Sequence, residues 1–205
     1  MKTSKSIIFT LLFTIMLASC NMDKYPYDKI PLESAIESFA DCQKLRTGMY
    51  RDLRIIAVST NVLAAEIQAD GFLPLSYFGN QLGALYRWEA NASESTFSTI
   101  WSNSYVTIAQ CNLLIEGIKR LQTEGKFSDS ELPTVKNYLG EAHLIRAIAY
   151  SILVDKFCAT YDPATAENFY GVPIVDEYSP SADNTKYPSR ATLAATYSFI
   201  KDDIK

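Results

Sequence analysis

Glu66 and Asp70 stand one helical turn apart, and a carboxylate pair is the least equipment that acid–base hydrolysis needs. Such chemistry requires a set separation across a cleft, which sequence spacing does not show, and we do not read the pair as catalytic. His143 follows Ala142 in a helical pattern, and no nucleophile has a defined relation to it, so it reads as an interhelical packing residue. Arg146 with Glu141 and Asp155 offers an anion clamp or, as we read it, a partly buried ion pair that fixes adjacent helices. Asp202 and Asp203 read as a solvated face. The 205 residues hold one His and four Cys with no CxxC spacing, too little for a metal centre of three or four ligands. Acids outnumber bases 23 to 19, a balance that argues against a nucleic-acid partner, which requires a basic face. The sequence assigns no catalytic residue, metal or cofactor.

Cys20 carries a different chemistry. Lys2 and Lys5 precede an apolar run from Ile7 to Ala18, interrupted only by Thr10 and Thr14. Twelve residues of helix span roughly 18 Å, short of the ~30 Å hydrocarbon core, so the run suits a secretory leader better than a membrane span. Leu17-Ala18-Ser19-Cys20 is similar to a bacterial lipobox. The similarity implies cleavage before Cys20 and acylation of its thiol. Residues 1–19 are then a signal peptide, and 20–37 a lipidated tether that Pro26 and Pro31 bias toward extended backbone. The alternative is an ordinary secretory leader with an incidental cysteine. Cys42, Cys111 and Cys158 remain, each in or at the end of a helical pattern. They read as free thiols acting as small hydrophobes, with one disulfide and one free thiol as the alternative.

From residue 38 the chain must supply the scaffold. Ser38 and Asp41 form a capping box with Asp in place of Glu. Cys42, Leu45, Met49, Leu53 and Ile56 then recur at spacings of three and four, one apolar helix face beside which Gly48 would admit a close neighbour. A short helix is expected over 61–69, ended by Asp70-Gly71. Residues 72–91 fit no single period and read as loops that could hold a short strand pair. Phe97, Trp101, Ser104, Ile108, Cys111, Ile115 and Ile118 predict a long helix to about Leu121. A turn at Gly125 follows, then a second capping box at Ser128 and Glu131 with Pro133 in the first turn. Leu132, Val135, Leu139, Ala142, Ala149, Leu153 and Phe157 predict the next helix, antiparallel to the last. Residues 162–188 form a long connection, and a final helix begins near Ser189. The chain stops at Lys205 inside this pattern, which reads as a truncation.

Three stretches together resemble a known family. They are the lipobox, the run Gly140-Glu141-Ala142-His143-Leu144-Ile145-Arg146-Ala147-Ile148-Ala149-Tyr150 leading to Gly171-Val172-Pro173, and Tyr187-Pro188-Ser189-Arg190-Ala191-Thr192. Trp101, Tyr105, Ile108 and Asn112 add a helix pattern of the same kind, and Gly48-Met49-Tyr50 a shorter one. The order is similar to the N-terminal part of the SusD/RagB family of outer-membrane nutrient-binding lipoproteins, over essentially all of the mature chain. Residues 158–170 are longer than the family's link before Gly171. Set against that family, the sequence reads as its N-terminal part without the C-terminal half, which in full members supplies part of the ligand site.

The resemblance implies an all-α, mainly helical SusD-like fold with tetratricopeptide-like helix pairs and long irregular loops, residues 38–205 being its N-terminal domain. It implies a lipid anchor in the outer membrane, the cell-surface face, and a TonB-dependent transporter of the SusC type as partner. The ligand it implies is an oligosaccharide, or in some members a peptide, bound without covalent chemistry. A sugar ring needs an aromatic face beside planar donors and acceptors. Tyr77, Tyr86, Arg87, Trp88 and Asn91 supply that mixture in the irregular stretch, Trp88 foremost; the alternative is that these rings pack the loop onto the helices. Trp101 and Tyr105 read as core. A structural or adhesive surface lipoprotein and a glycan-degrading enzyme are the competing classes.

Overall fold

The chain's helices follow from the spacing of its apolar residues, and their pairing follows from which faces those residues share. The computed structural model describes residues 35–58, 60–75, 77, 79, 82–89, 95–181 and 183–205. The leader, Cys20 and Asn91 lie outside the described residues. Helix α1 spans Phe39–Val58, α2 Thr60–Gln68, α3 Gly83–Tyr86, α4 Ser95–Thr123 and α5 Leu132–Phe157. Strand β1 (Tyr170–Pro173), strand β2 (Arg190–Thr192) and α6 (Leu193–Asp203) complete the order.

Helix ends are set by local hydrogen bonds. Ser38 caps α1, its hydroxyl accepting from the Asp41 N–H (3.3 Å) and donating to the Asp41 carboxylate (2.7 Å). At Ser128 the backbone N–H and the hydroxyl both donate to the Glu131 carboxylate (2.8 Å each), closing a turn just ahead of α5, whose first turn holds Pro133. Helix α2 ends in a Schellman motif, with Gly71 N–H donating to Glu66 O (2.7 Å) and Asp70 N–H to Ile67 O (3.3 Å). Asp70 (φ 59°), not Gly71, takes the left-handed position. Glu66 and Asp70 therefore serve a helix stop. Helix α4 ends the same way at Gly125 (φ 64°).

Helices α4 and α5 form an antiparallel hairpin: Trp101 meets Phe157 edge-on at 5.0 Å, and Asn112 meets Arg146 further along. Helix α1 lies against both, meeting α5 through Phe39 stacked on Tyr138 (6.0 Å) and Arg46 paired with Glu141. Helix α6 runs back along α5, with Phe199 against Tyr150 (5.1 Å) and Asp203 against His143. Ile108, Ala149, Tyr150, Leu153, Val172 and Leu193 form the core between these elements. A smaller cluster of Ala64, Ile67 and Leu85, joined by Leu82, Tyr86 and Phe97, seats α3 on α2 and α4.

Several expectations are corrected. No strand pair forms among the described residues of 72–91; α3 stands there instead. Residues 190–192 are not helix but β2, antiparallel to β1 with Tyr170 opposite Thr192, and α6 starts only at Leu193 under the Thr192 cap. Three residues are too few for a periodicity to be visible. Gly48 admits no neighbour, since a Cβ there would meet open space. The close approaches are at Gly117, where a Cβ would press on Ile36, and at Gly171, where it would meet Thr196 and stand 2.6 Å from Thr192 O. Cys42 and Cys111 are buried free thiols, pushed up to about 11 and about 12 by burial, and Cys158 is a half-buried one.

Candidate functional site

The predicted ligand residues fall at the end of α3. This four-residue helix is bracketed by two left-handed residues, Leu82 (φ 61°) and Trp88 (φ 57°). Trp88 N–H donates to Leu85 O (3.1 Å) and Glu89 N–H to Ala84 O (2.8 Å), a third Schellman stop with tryptophan where glycine is usual. The indole is left 71% exposed. Arg87 is also exposed, and its Nε donates to Glu89 (2.8 Å), so a paired guanidinium and carboxylate flank Trp88 in the chain. Tyr77 is 76% exposed. Tyr86 differs: it is half-buried in the small cluster and packs the loop onto its scaffold. Asn91 lies outside the described residues. Trp88, Arg87 and Tyr77 thus offer side chains to solvent, whereas Tyr86 serves mainly as a foot.

A second constellation escaped residue-by-residue reading. Residues 173–178 run as an extended strap across α4 and α5, with backbone groups satisfied by side chains instead of a strand. Tyr105 OH donates to Pro173 O (2.8 Å). Tyr150 OH accepts from Val175 N–H (2.7 Å) and donates to Val175 O (3.1 Å). Asn112 Nδ2 donates to Val175 O (2.9 Å) and Glu177 O (3.2 Å), and Glu116 accepts from Tyr178 N–H. Burial raises both phenols, Tyr150 to about 12, so they stay protonated and able to donate.

Beneath the strap lies a buried ion pair. Arg146 donates Nε and Nη2 to the two Asp203 oxygens (2.7 and 2.6 Å) and Nη1 to Asn112 Oδ1 (2.7 Å). His143 Nδ1–H donates to the same carboxylate (2.7 Å), since a carboxylate can only accept. Burial alone would raise the Asp203 carboxyl, but the Arg146 and His143 hydrogen bonds outweigh it and hold it below the usual range. Asp203 is therefore not solvated; its side chain is 5% exposed. Nor does Arg146 pair with Glu141 or Asp155, which lie about 140° and about 180° round the same helix. Glu141 pairs with Arg46 and Asp155 with Lys156.

Arg190 closes the frame, with Nε donating to Gly171 O (2.6 Å) and Nη2 to Phe157 O (2.8 Å), an orphan carbonyl at the end of α5. No group of three His, Cys, Asp or Glu suited to a metal ion occurs among the described residues.

Residues 22–205 match the model of a SusD-like family described as starch-binding and associating with the outer membrane. The chain belongs to this SusD-like family. Solved structures agree on the fold. A SusD superfamily protein of Bacteroides vulgatus is 17% identical with a TM-score of 0.60, over 82% of this chain and 36% of that one. One of Bacteroides thetaiotaomicron is 20% identical with a TM-score of 0.54, over 81% and 34%. A SusD-like protein of Bacteroides fragilis is 22% identical with a TM-score of 0.53, over 85% and 31%. The chain thus spans about a third of the length of these solved relatives. No curated protein matches it in sequence.

The SusD-like signature gains a physical meaning from the strap. Tyr105, Asn112, Arg146, Tyr150, Gly171, Arg190 and Thr192 all belong to the stretches that carry the resemblance. Arg146 orients Asn112 and ties down the end of α6, and the others hold the strap, the short sheet or the start of α6. The spacing of Tyr105 and Asn112, seven residues on one helix face, could have flagged two polar groups aimed at a common partner. The partner itself, a backbone segment some sixty residues away, leaves no local signal.

Proposed function

We propose that this chain is a non-catalytic, lipid-anchored capture protein of the outer-membrane surface that binds glycan for a TonB-dependent transporter of the SusC type. The observation that carries the glycan reading is Trp88. Its ring is 71% exposed on a backbone held by two Schellman hydrogen bonds, beside the Arg87–Glu89 pair. A fixed aromatic face with a planar donor and a carboxylate next to it matches the two-sided chemistry of a sugar ring. The family description, starch-binding and associating with the outer membrane, supports both the ligand class and the location. The transporter partner and the anchor at Cys20 rest on the sequence resemblance. In place of catalysis, the exposed groups bind and orient: the indole covers the ring face while Arg87 and Glu89 engage hydroxyls.

Trp88→Ala should weaken malto-oligosaccharide binding by about 1–3 kcal/mol, by analogy with aromatic stacking on bases. Isothermal titration checks it, and unchanged affinity removes Trp88 from the site. A peptide ligand is the second reading. It is favoured by Phe72, Leu73 and Leu75, exposed by 54%, 65% and 43% on the same stretch, since such side chains suit apolar peptide groups better than hydroxyls.

A further inference from the structure

Beside the strap lies a groove of about 740 Å³, walled by the outer face of α4 and by residues 174–181 and 186–188. Its volume falls within the ~300–1,000 Å³ usual for small-ligand sites. It shares no lining residue with the Trp88 loop.

Three phenol rings line it: Tyr105 at the floor, Tyr178 and Tyr187 on the loop wall. All are held. Tyr105 is tied through its hydroxyl to Pro173 O, Tyr178 through its backbone to Glu116, and Tyr187 through its hydroxyl to Ser181 O (2.9 Å). Tyr187 is nevertheless 58% exposed, so a solvated ring is kept in place with no partner on its open side that the fold requires. Val106, 52% exposed, extends the apolar floor. Asp176 and Glu177 add acceptors and Lys186 a donor among the lining groups. Immobilised tyrosines lose little entropy on binding, and the pinned strap keeps the wall from collapsing. Two carboxylates against one ammonium disfavour an anion, and the single ammonium gives a cation no clear field. These groups suit a neutral ligand with apolar faces and many hydroxyls.

We propose that this groove is a second saccharide site, taking a neutral oligosaccharide on Tyr178 and Tyr187 independently of Trp88. The proposal rests on the reading of the chain as a glycan binder, and the test separates the two. The full chain, Trp88→Ala, Tyr187→Ala and the double variant are titrated calorimetrically with maltoheptaose, cellohexaose, xylohexaose and mannohexaose. Circular dichroism checks that each variant is folded.

The expected result is that Trp88→Ala retains binding to at least one of the four, and that adding Tyr187→Ala weakens this remainder about tenfold or more. Residual binding in Trp88→Ala that ignores the Tyr187 change overturns the groove. Loss of all binding in Trp88→Ala also overturns it, while leaving the Trp88 reading intact. Binding untouched by Trp88→Ala but lost with Tyr187→Ala upholds the groove and removes the Trp88 site. No binding of any of the four by the unaltered chain overturns both.

Discussion

Trp88 holds a left-handed backbone that a bulky L-residue adopts only at a cost of about 1–2 kcal/mol. Its ring is mostly in solvent, so packing does not offset that cost. Alanine keeps the penalty, and glycine removes it at some loss of chain entropy. Trp88→Gly should therefore be more stable than Trp88→Ala by about 1 kcal/mol, read from urea midpoints, while both lose the stacking face. Equal midpoints would mean that the left-handed turn carries no strain. Asp203 makes the opposite case, a charge the fold depends on. Its carboxyl titrates lower in the folded chain than the unfolded value of about 3.9, so its contribution is complete above that value and is lost as pH falls through the folded one. Asp203→Asn leaves Arg146 buried without its counter-charge, a loss of about 3 kcal/mol at neutral pH. The stability gap between the unaltered chain and Asp203→Asn should stay wide at pH 6 and close below about pH 4. Denaturant titrations across that range check it, and a constant gap contradicts it.

At the scale of elements, the long helices were legible because their apolar residues recur at three and four, and α4 and α5 follow that pattern nearly to their ends. Trp101 and Tyr105 are half-buried against the core, as their place on the stripe implied. The strap and β2 were not legible. Their stabilising partners are phenols, an amide and a carboxylate from helices distant in sequence, and no local period encodes such contacts. Gly171 shows how tightly these pieces fit. A methyl there would meet Thr196 and stand 2.6 Å from Thr192 O, a backbone atom at the cap of α6 that cannot swing aside. Gly171→Ala should cost about 1–3 kcal/mol, with the α6 cap among the first parts to loosen. Gly117→Ala presses instead on the side chain of Ile36, which can rotate, so its penalty should be the smaller of the two. Thermal melts of both variants test the order. A milder Gly171→Ala would mean that β1 can slide away from α6.

At the scale of the molecule, the described residues contain no helix long and apolar enough to cross a membrane. The hold on the bilayer that we propose is a lipid anchor in the leader region. Residues 7–18 are too short to span one, and the expectation from Leu17-Ala18-Ser19-Cys20 is an acylated Cys20. Each buried CH₂ contributes about 0.8 kcal/mol, so a single chain holds a protein only marginally, whereas the two or more chains of a lipidated N-terminus hold it stably. In the role we propose, the anchor is confined to the N-terminus and the folded domain supplies the binding groups. Cys20→Ala removes the acyl acceptor and leaves α1 to α6 intact. The variant should be exported, keep the helical circular-dichroism signature of the parent, and shift from the membrane pellet to the soluble fraction. Persistence in the pellet at high salt would mean that a surface of the folded domain itself, not the acyl chains, binds the membrane. The exposed Phe72-Leu73 and Leu75 stretch would then be the first place to mutate.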